Sequence, residues 1–382
     1  MKKLIALLMA LVMCFGLVAC GGGSDESADA ADAILIGSSG PLTGDAAIYG
    51  IAVKNGMTIA IEEINALGGL QLAMQFEDDV ADGETAVNAY NKLMDDGMQV
   101  FAGTVTSGAA LSVVPMTIED NMFALTPSGS NADIVKGNDN YFQVCFTDPN
   151  QGSGSATYIK ANMADKKIAV IYRNDDSYSQ GIRDTFVAQA ATEGLEVVYE
   201  GTFTKDTATD FSVQLTAAQA AGADLLFLPI YYQPAAVILT QANQMGYAPV
   251  FFGVDGMDGI LSAENFDASL AEGVMLLTPF SADAEDELTK NFVATYQAKH
   301  GEVPNQFAAD AYDGIYALYQ AIQNAGITAD TDYAEACELL IAEMQKVEIA
   351  GLTGTMTWAA TGEVSKTPTA VVIENGVYVG VK

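Results

Sequence analysis

Little in this chain is equipped to make or break a covalent bond. Its one histidine, His300, stands in Ala298-Lys299-His300-Gly301. That is the pattern of a helix end, where cations meet the negative pole of the dipole and Gly takes the left-handed turn. No Cys/His cluster has zinc spacing, no phosphate loop ends in Lys-Ser/Thr, and no Gly-x-Ser-x-Gly elbow occurs. Asp78-Asp79-Val80-Ala81-Asp82-Gly83 has the acids of a calcium loop, but Val80 falls on a middle ligand position. A strand end and a turn explain those acids better. The expectation is a protein that binds without reacting: no enzyme, no metal and no cofactor.

The residues suited to binding sit in short loops. Gly103-Thr104-Val105-Thr106-Ser107-Gly108 and Thr126-Pro127-Ser128-Gly129-Ser130-Asn131 are rich in hydroxyls and glycines. Each lies where a strand ends, and the first runs into a helix. Backbone N–H groups, a helix N-terminus and hydroxyls together suit a carboxylate. Ordinary N-capping explains either loop alone; two on neighbouring strands point to an anion site. Further on, Asp176-Ser177-Tyr178, Pro229-Ile230-Tyr231-Tyr232 and Gly253-Val254-Asp255-Gly256 add aromatics and a carboxylate, fit for an apolar side chain and an ammonium. The competing account makes Tyr231 and Tyr232 packing residues and Asp255 a turn residue.

Alternating strands and helices must position these loops. Residues 34–37, 72–76, 100–102 and 122–125 read as strands, with helices over 46–66, 84–94 and 109–119 between them. The rhythm restarts with strands at 167–172, 195–201, 225–229 and 250–253 and helices at 181–192, 211–221 and 235–245. This spacing predicts an α/β fold of two doubly wound lobes with largely parallel sheets. Helices over 288–298, 308–324 and 334–346 and short strands at 356–359, 369–373 and 377–381 do not make a third lobe. The chain is therefore expected to return to the first lobe and cross again, with hinge crossings near 148–150, 277–279 and 351–354. The expected lobes are 33–148 plus 279–351 and 149–278 plus 352–382. Open α/β sheets bind ligands beyond the carboxyl ends of their strands, which puts the site in the cleft between the lobes.

Half of the residues are hydrophobic and 17% are charged, enough apolar material for two cores. Lys2 and Lys3 precede an apolar run over 4–16 that is short for a membrane span. Residues 1–20 read as a signal peptide and 21–32 as a flexible Gly/Ser/Asp tether. Leu17-Val18-Ala19-Cys20 resembles a bacterial lipobox, which makes Cys20 the expected lipidation site and the membrane contact a lipid anchor only. Without that segment, 14 basic residues face 49 acidic ones, a net charge of −35. Such a surface argues against nucleic acid and against direct docking on anionic lipids. Cys145 and Cys337 remain in the body, too few for a disulfide framework, and are expected as buried thiols.

Beyond residue 34 the chain resembles the leucine/isoleucine/valine-binding proteins, branched-chain amino-acid members of the type I periplasmic solute-binding fold. The resemblance rests on Ser39-Gly40-Pro41-Leu42-Thr43-Gly44 with Tyr49-Gly50, on Ile64-Asn65-Ala66-Leu67-Gly68-Gly69, and on Asp313 in Ala311-Tyr312-Asp313-Gly314. It implies an extracytoplasmic monomer that hands an amino acid to the membrane permease of an ABC importer. By position, it implies that Ser107 holds the ligand carboxylate through its hydroxyl and N–H. Ser130 adds its N–H to the carboxylate and its hydroxyl to the ammonium. Ser128 offers a carbonyl, and Asp255 pairs with the ammonium. Tyr49, Tyr178, Phe307 and either Tyr231 or Tyr232 surround the side chain. Two departures stand out. Thr106 and Val80 replace a disulfide frequent in the family, and Asp255 is one methylene shorter than the Glu of some members, so the pocket can suit another amino acid. A ligand-sensing receptor domain of the same fold is the alternative, but no spanning helix or output domain accompanies it.

Overall fold

The computed structural model describes residues 32–381. The signal segment, Cys20 and most of the tether lie outside the described residues. The first sheet contains β1 (Ala33–Gly40), β2 (Gln71–Asp78), β3 (Val100–Phe101), β4 (Ala124–Thr126) and β5 (Tyr141–Gln143), in the order β2-β1-β3-β4-β5, all parallel. Its crossovers are α1 (Ala47–Ala66), α2 (Gly83–Asp95) and α3 (Ser107–Asp120). Ile34 and Ile36 are fully buried at its centre, because helices cover both faces of a parallel sheet.

The second sheet has seven strands. They are β6 (Lys167–Arg173), β7 (Glu196–Phe203), β8 (Leu225–Leu228), β9 (Val250–Gly253), β10 (Met275–Thr278), β13 (Thr369–Glu374) and β14 (Val377–Gly380), ordered β14-β13-β10-β9-β8-β6-β7. The strands β6 to β10 run parallel, while β13 and β14 join antiparallel. Around them stand α4 (Asp148–Asn162), α5 (Ser177–Glu193), α6 (Ser212–Ala220) and α7 (Tyr232–Gln244). Every residue of β8 is buried, as its unbroken run of Leu and Phe requires.

Three helices, α8 (Glu287–His300), α9 (Gln306–Ala325) and α10 (Tyr333–Met344), follow β10 and return to the first lobe. Gly56 lets α1 and α9 approach closely, since a Cβ there would run into the Ala308 carbonyl. The family motifs have local jobs. The Asn65 side chain clips β2 by donating to the Leu72 carbonyl and accepting its N–H, both at 2.9 Å. Gly50 leaves room for the Pro41 carbonyl.

The third crossing is not where the glycines suggested. Gly351 and Gly354 belong to a hairpin of β11 (Glu348–Gly351) and β12 (Gly354–Thr357). Asp313 of α9 accepts the N–H groups of Leu352 (2.8 Å) and Thr353 (2.9 Å) and the Thr353 hydroxyl (2.6 Å). Beyond it, the Trp358 indole donates to the Gln143 carbonyl (2.8 Å), and the Gln143 N–H donates to the Gly362 carbonyl (2.9 Å). Residues 352–364 therefore stay with the first lobe, and the chain crosses just before β13. The buried Lys366, paired with Asp310 of α9 at 2.6 Å, marks that passage. The first crossing likewise precedes residue 148, because Asp148–Asn150 open α4.

The α4 helix, with β5, β10 and β11, was not expected from sequence. Its Asp-Pro-Asn-Gln-Gly-Ser-Gly-Ser start reads as loop. Tertiary packing overrides it: Gly152 sits against the Ile182 carbonyl of α5, where a Cβ would collide.

Candidate functional site

The acids of the calcium-like stretch are structural. Asp78 accepts the Leu42 N–H (2.8 Å) and the Thr43 hydroxyl (2.7 Å), Asp79 accepts from Ser39 (3.1 Å), and Asp82 caps α2 through the Thr85 N–H (3.0 Å). Asp79 is pushed up to about 6 by burial. His300 ends α8, with Gly301 left-handed at φ +78°. Among the described residues no cluster of His, Cys, Asp or Glu suits a metal ion, and Cys145 and Cys337 are free and buried.

The two hydroxyl loops form one stitched surface on the first lobe. Thr126 donates to the Thr104 carbonyl (2.6 Å) and accepts the Gly129 N–H (2.7 Å); Ser128 donates to the Val105 carbonyl (2.6 Å). Ser107, the first residue of α3, accepts the N–H groups of Ser130 and Asn131, each at 3.2 Å. The first turn of α3 also has N–H groups without intrahelical partners. The buried Ser130 hydroxyl faces the buried carboxyl of Asp148.

The facing lobe supplies charge and rings. Asp255, just after β9, is 2% exposed. It accepts the Tyr178 hydroxyl at 2.5 Å, and Tyr178 accepts the Gly256 N–H at 2.9 Å. Burial raises the Asp255 carboxyl to about 7, and the nearby Asp310 adds to the rise. The same burial holds the Tyr178 phenol well above its usual range. The Tyr231 ring lies 4.9 Å from that of Tyr178 and 5.3 Å from that of Tyr49, while Phe307 is 4.5 Å from Tyr49. The neighbouring tyrosines part company here. Tyr231 lies within reach of the charges of Asp148, Asp176 and Asp255. Tyr232 begins α7 and packs its edge on Tyr49.

The lobes are closed on each other. Tyr49 donates to the Gly256 carbonyl (2.5 Å) and accepts the Tyr232 N–H (3.2 Å); Asn131 donates to the Ser177 carbonyl (3.2 Å). The first turn of α4 joins the two sides. The Asp148 N–H donates to the Ser130 carbonyl (2.8 Å), and Gln151, one turn on, accepts the Asp255 N–H (3.3 Å). Sequence reasoning missed both Asp148 and Gln151. Their spacing places them on one helix face, but the helix itself was hidden by Gly and Ser.

So built, the chain can be set beside known proteins. A periplasmic binding protein family model matches residues 33–375. A Leu/Ile/Val-binding protein homologue of Brucella melitensis is 30% identical over 87% of this chain and 89% of its own. The chain belongs to the periplasmic binding proteins. Two solved structures agree. A leucine binding protein from Thermotoga maritima superposes with a TM-score of 0.83 at 25% identity, covering 91% of this chain and 98% of that one. A branched-chain amino acid transporter substrate-binding protein from Streptococcus pneumoniae, in complex with isoleucine, gives 0.81 at 27% identity, covering 91% and 97%. The type I architecture and the place in the branched-chain branch of this periplasmic binding protein family follow. So does the role of a solute-binding protein, a class that works outside the cytoplasm, serves ABC transporters and does not catalyse.

Proposed function

We propose that the protein captures a neutral α-amino acid between its lobes, leucine, isoleucine and valine foremost, and delivers it to the permease of an ABC importer. The observation that carries this reading is the pairing of two opposite poles across the closed cleft. The neutral donors around Ser107 and Ser130 suit a carboxylate. Asp255, the Ser130 hydroxyl and the Ser128 carbonyl suit an ammonium. Tyr49, Tyr178, Tyr231 and Phe307 wall the side chain, with Tyr232 behind them. Arg173 stands at the edge of one loop but is held by Asp175 at 2.6 Å, so among the described residues of these loops no free cation asks for an acidic side chain. The isoleucine bound by the pneumococcal relative supports the same class. Aromatic amino acids come next, since the rings can stack with another.

A thermal-shift screen of the amino acids tests the reading. At a hundred times the dissociation constant a ligand adds about 2.7 kcal/mol. At roughly 2–4 °C per kcal/mol, a few apolar amino acids should raise the melting temperature by several degrees. A melt moved only by another class of metabolite refutes it. The protein acts as a monomer, by binding rather than catalysis, held outside the cytoplasm by a diacylglycerol on Cys20; two acyl chains suffice where one does not. Cys20→Ala should release it from the membrane fraction; unchanged membrane association refutes the anchor.

A further inference from the structure

A second concavity opens on the seam between the lobes, outside the cleft. It has a volume of about 490 Å3. Ile48, Ile51 and Val303 line it from the first lobe, and Leu261, Val377 and Tyr378 from the second. Three of these, Ile51, Val303 and Val377, are 40%, 53% and 54% exposed, although they come from three distant stretches of chain. Large apolar side chains left at the surface singly need no explanation, but gathered around one hollow they do. The volume and the mostly apolar lining are those of a small-molecule pocket.

One polar group is placed inside it. Asp258 is 4% exposed. Its Oδ2 accepts the Gln306 N–H at 2.8 Å, tying the second lobe to the start of α9. Its Oδ1 makes no direct hydrogen bond of good geometry, although the Tyr378 hydroxyl and the Gly259 N–H lie close enough to favour its charge. Burial still dominates, pushing the carboxyl up to about 6 with only neutral donors against it, and a cation is the partner that offsets that cost. Asp283 and Glu302 also line the hollow, and none of the described residues lining it is Lys, Arg or His. An anion is thus disfavoured and a cation favoured.

We propose that this seam groove is a second binding site, for a small amphiphilic amine whose ammonium meets Asp258 and whose apolar body lies between Ile48, Leu261, Val303 and Val377. It shares a wall with the amino-acid cleft. Ile48 adjoins Tyr49, Gln306 adjoins Phe307, and Asp258 follows Gly256, whose carbonyl receives the Tyr49 hydroxyl. An occupant touches both lobes only when they are closed. It therefore favours closure, tightens the cleft for its own ligand, and is itself tightened by that ligand to the same degree.

Calorimetry with 2-phenylethylamine as probe tests this on the mature chain saturated with leucine, so that the cleft is filled. The amine should bind at one site with a dissociation constant of about 1 mM or tighter, and 3-phenylpropionate should not bind. Asp258→Asn should weaken the amine at least about tenfold, the scale of one buried charge pair. Because Asp258 also ties the lobes, Val303→Lys provides the second variant: it puts a cation at the exposed mouth and should weaken the amine similarly, with an unchanged circular-dichroism spectrum. Leucine and the amine should each raise the other's affinity by the same factor. No heat with the filled cleft, displacement of the amine by leucine, or undiminished binding in both variants overturns the site; unchanged leucine affinity overturns the coupling. If leucine itself does not bind, the same titration into Asp255→Ala, whose cleft is disabled, still decides the groove, so the two readings fail separately.

Discussion

In the proposed reading the two lobes present opposite chemistries to one ligand. On the first lobe the proposed carboxylate pole is built from neutral dipoles, Ser107 already bonds the N–H groups of Ser130 and Asn131, and the one charge beside it is the buried Asp148 of α4, whose carboxyl burial holds well above its usual range. Such a pole is organised before anything arrives and costs little when empty. On the second lobe the proposed ammonium pole is an ionisable carboxyl, Asp255, taken out of water, and burial makes it reluctant to ionise. A dipole site tolerates vacancy; a buried charge does not. The difference teaches that removing one second-lobe group should cost more than removing one first-lobe group.

The largest expected effect follows from that. Asp255→Ala should lower amino-acid affinity by two to three decades, since losing one partner of a buried pair costs about 3–5 kcal/mol. Calorimetry giving a loss below about threefold would locate the ammonium's partner elsewhere.

Acidity comes second. Burial pushes the Asp255 carboxyl up to about 7, and a bound ammonium favours its ionised form, so binding lowers that value. Affinity should then be full above about pH 7 and fall as pH drops through it, by up to about tenfold per unit. Burial and the charge of Asp310 raise the Asp255 value, while hydrogen bonds from the Tyr178 hydroxyl, the Gly256 N–H and the Gln151 side chain lower it. Binding should release a proton near neutrality, seen as a buffer-dependent heat. A flat profile from about pH 8 to about pH 5 contradicts the assignment of the charged pole.

The first lobe gives the smallest change. Ser107→Ala removes one hydroxyl donor to a carboxylate, worth roughly 1.5 kcal/mol, or about tenfold; the N–H groups remain. Should Ser107→Ala prove as damaging as Asp255→Ala in the same titration, the contrast between the poles collapses.

Much of this was legible beforehand. Unbroken apolar strands such as β8, alternating with helical patterns, announced two largely parallel sheets, and hydroxyl-rich loops at strand ends announced the stitched surface of the first lobe. What escaped was set by tertiary contact. The α4 helix has poor local propensity and exists because Gly152 admits the backbone of α5. The glycines at 351 and 354 look like a hinge, yet three hydrogen bonds from Asp313 fasten that turn to the first lobe. The choice between Tyr231 and Tyr232 depended on the register at the start of α7, which adjacent identical residues cannot reveal.

The indole of Trp358 has a further use. It is the one tryptophan of the chain, is 4% exposed, and donates to the Gln143 carbonyl at the end of β5, where the first hinge crossing begins. Ultraviolet excitation of that chromophore therefore reports on a single place, the root of two crossings. If the lobes open by bending there, the dipole of its acceptor and its contact with water change together. The emission of the unlabelled protein then becomes an optical gauge of the hinge, readable in real time as ligand is mixed in.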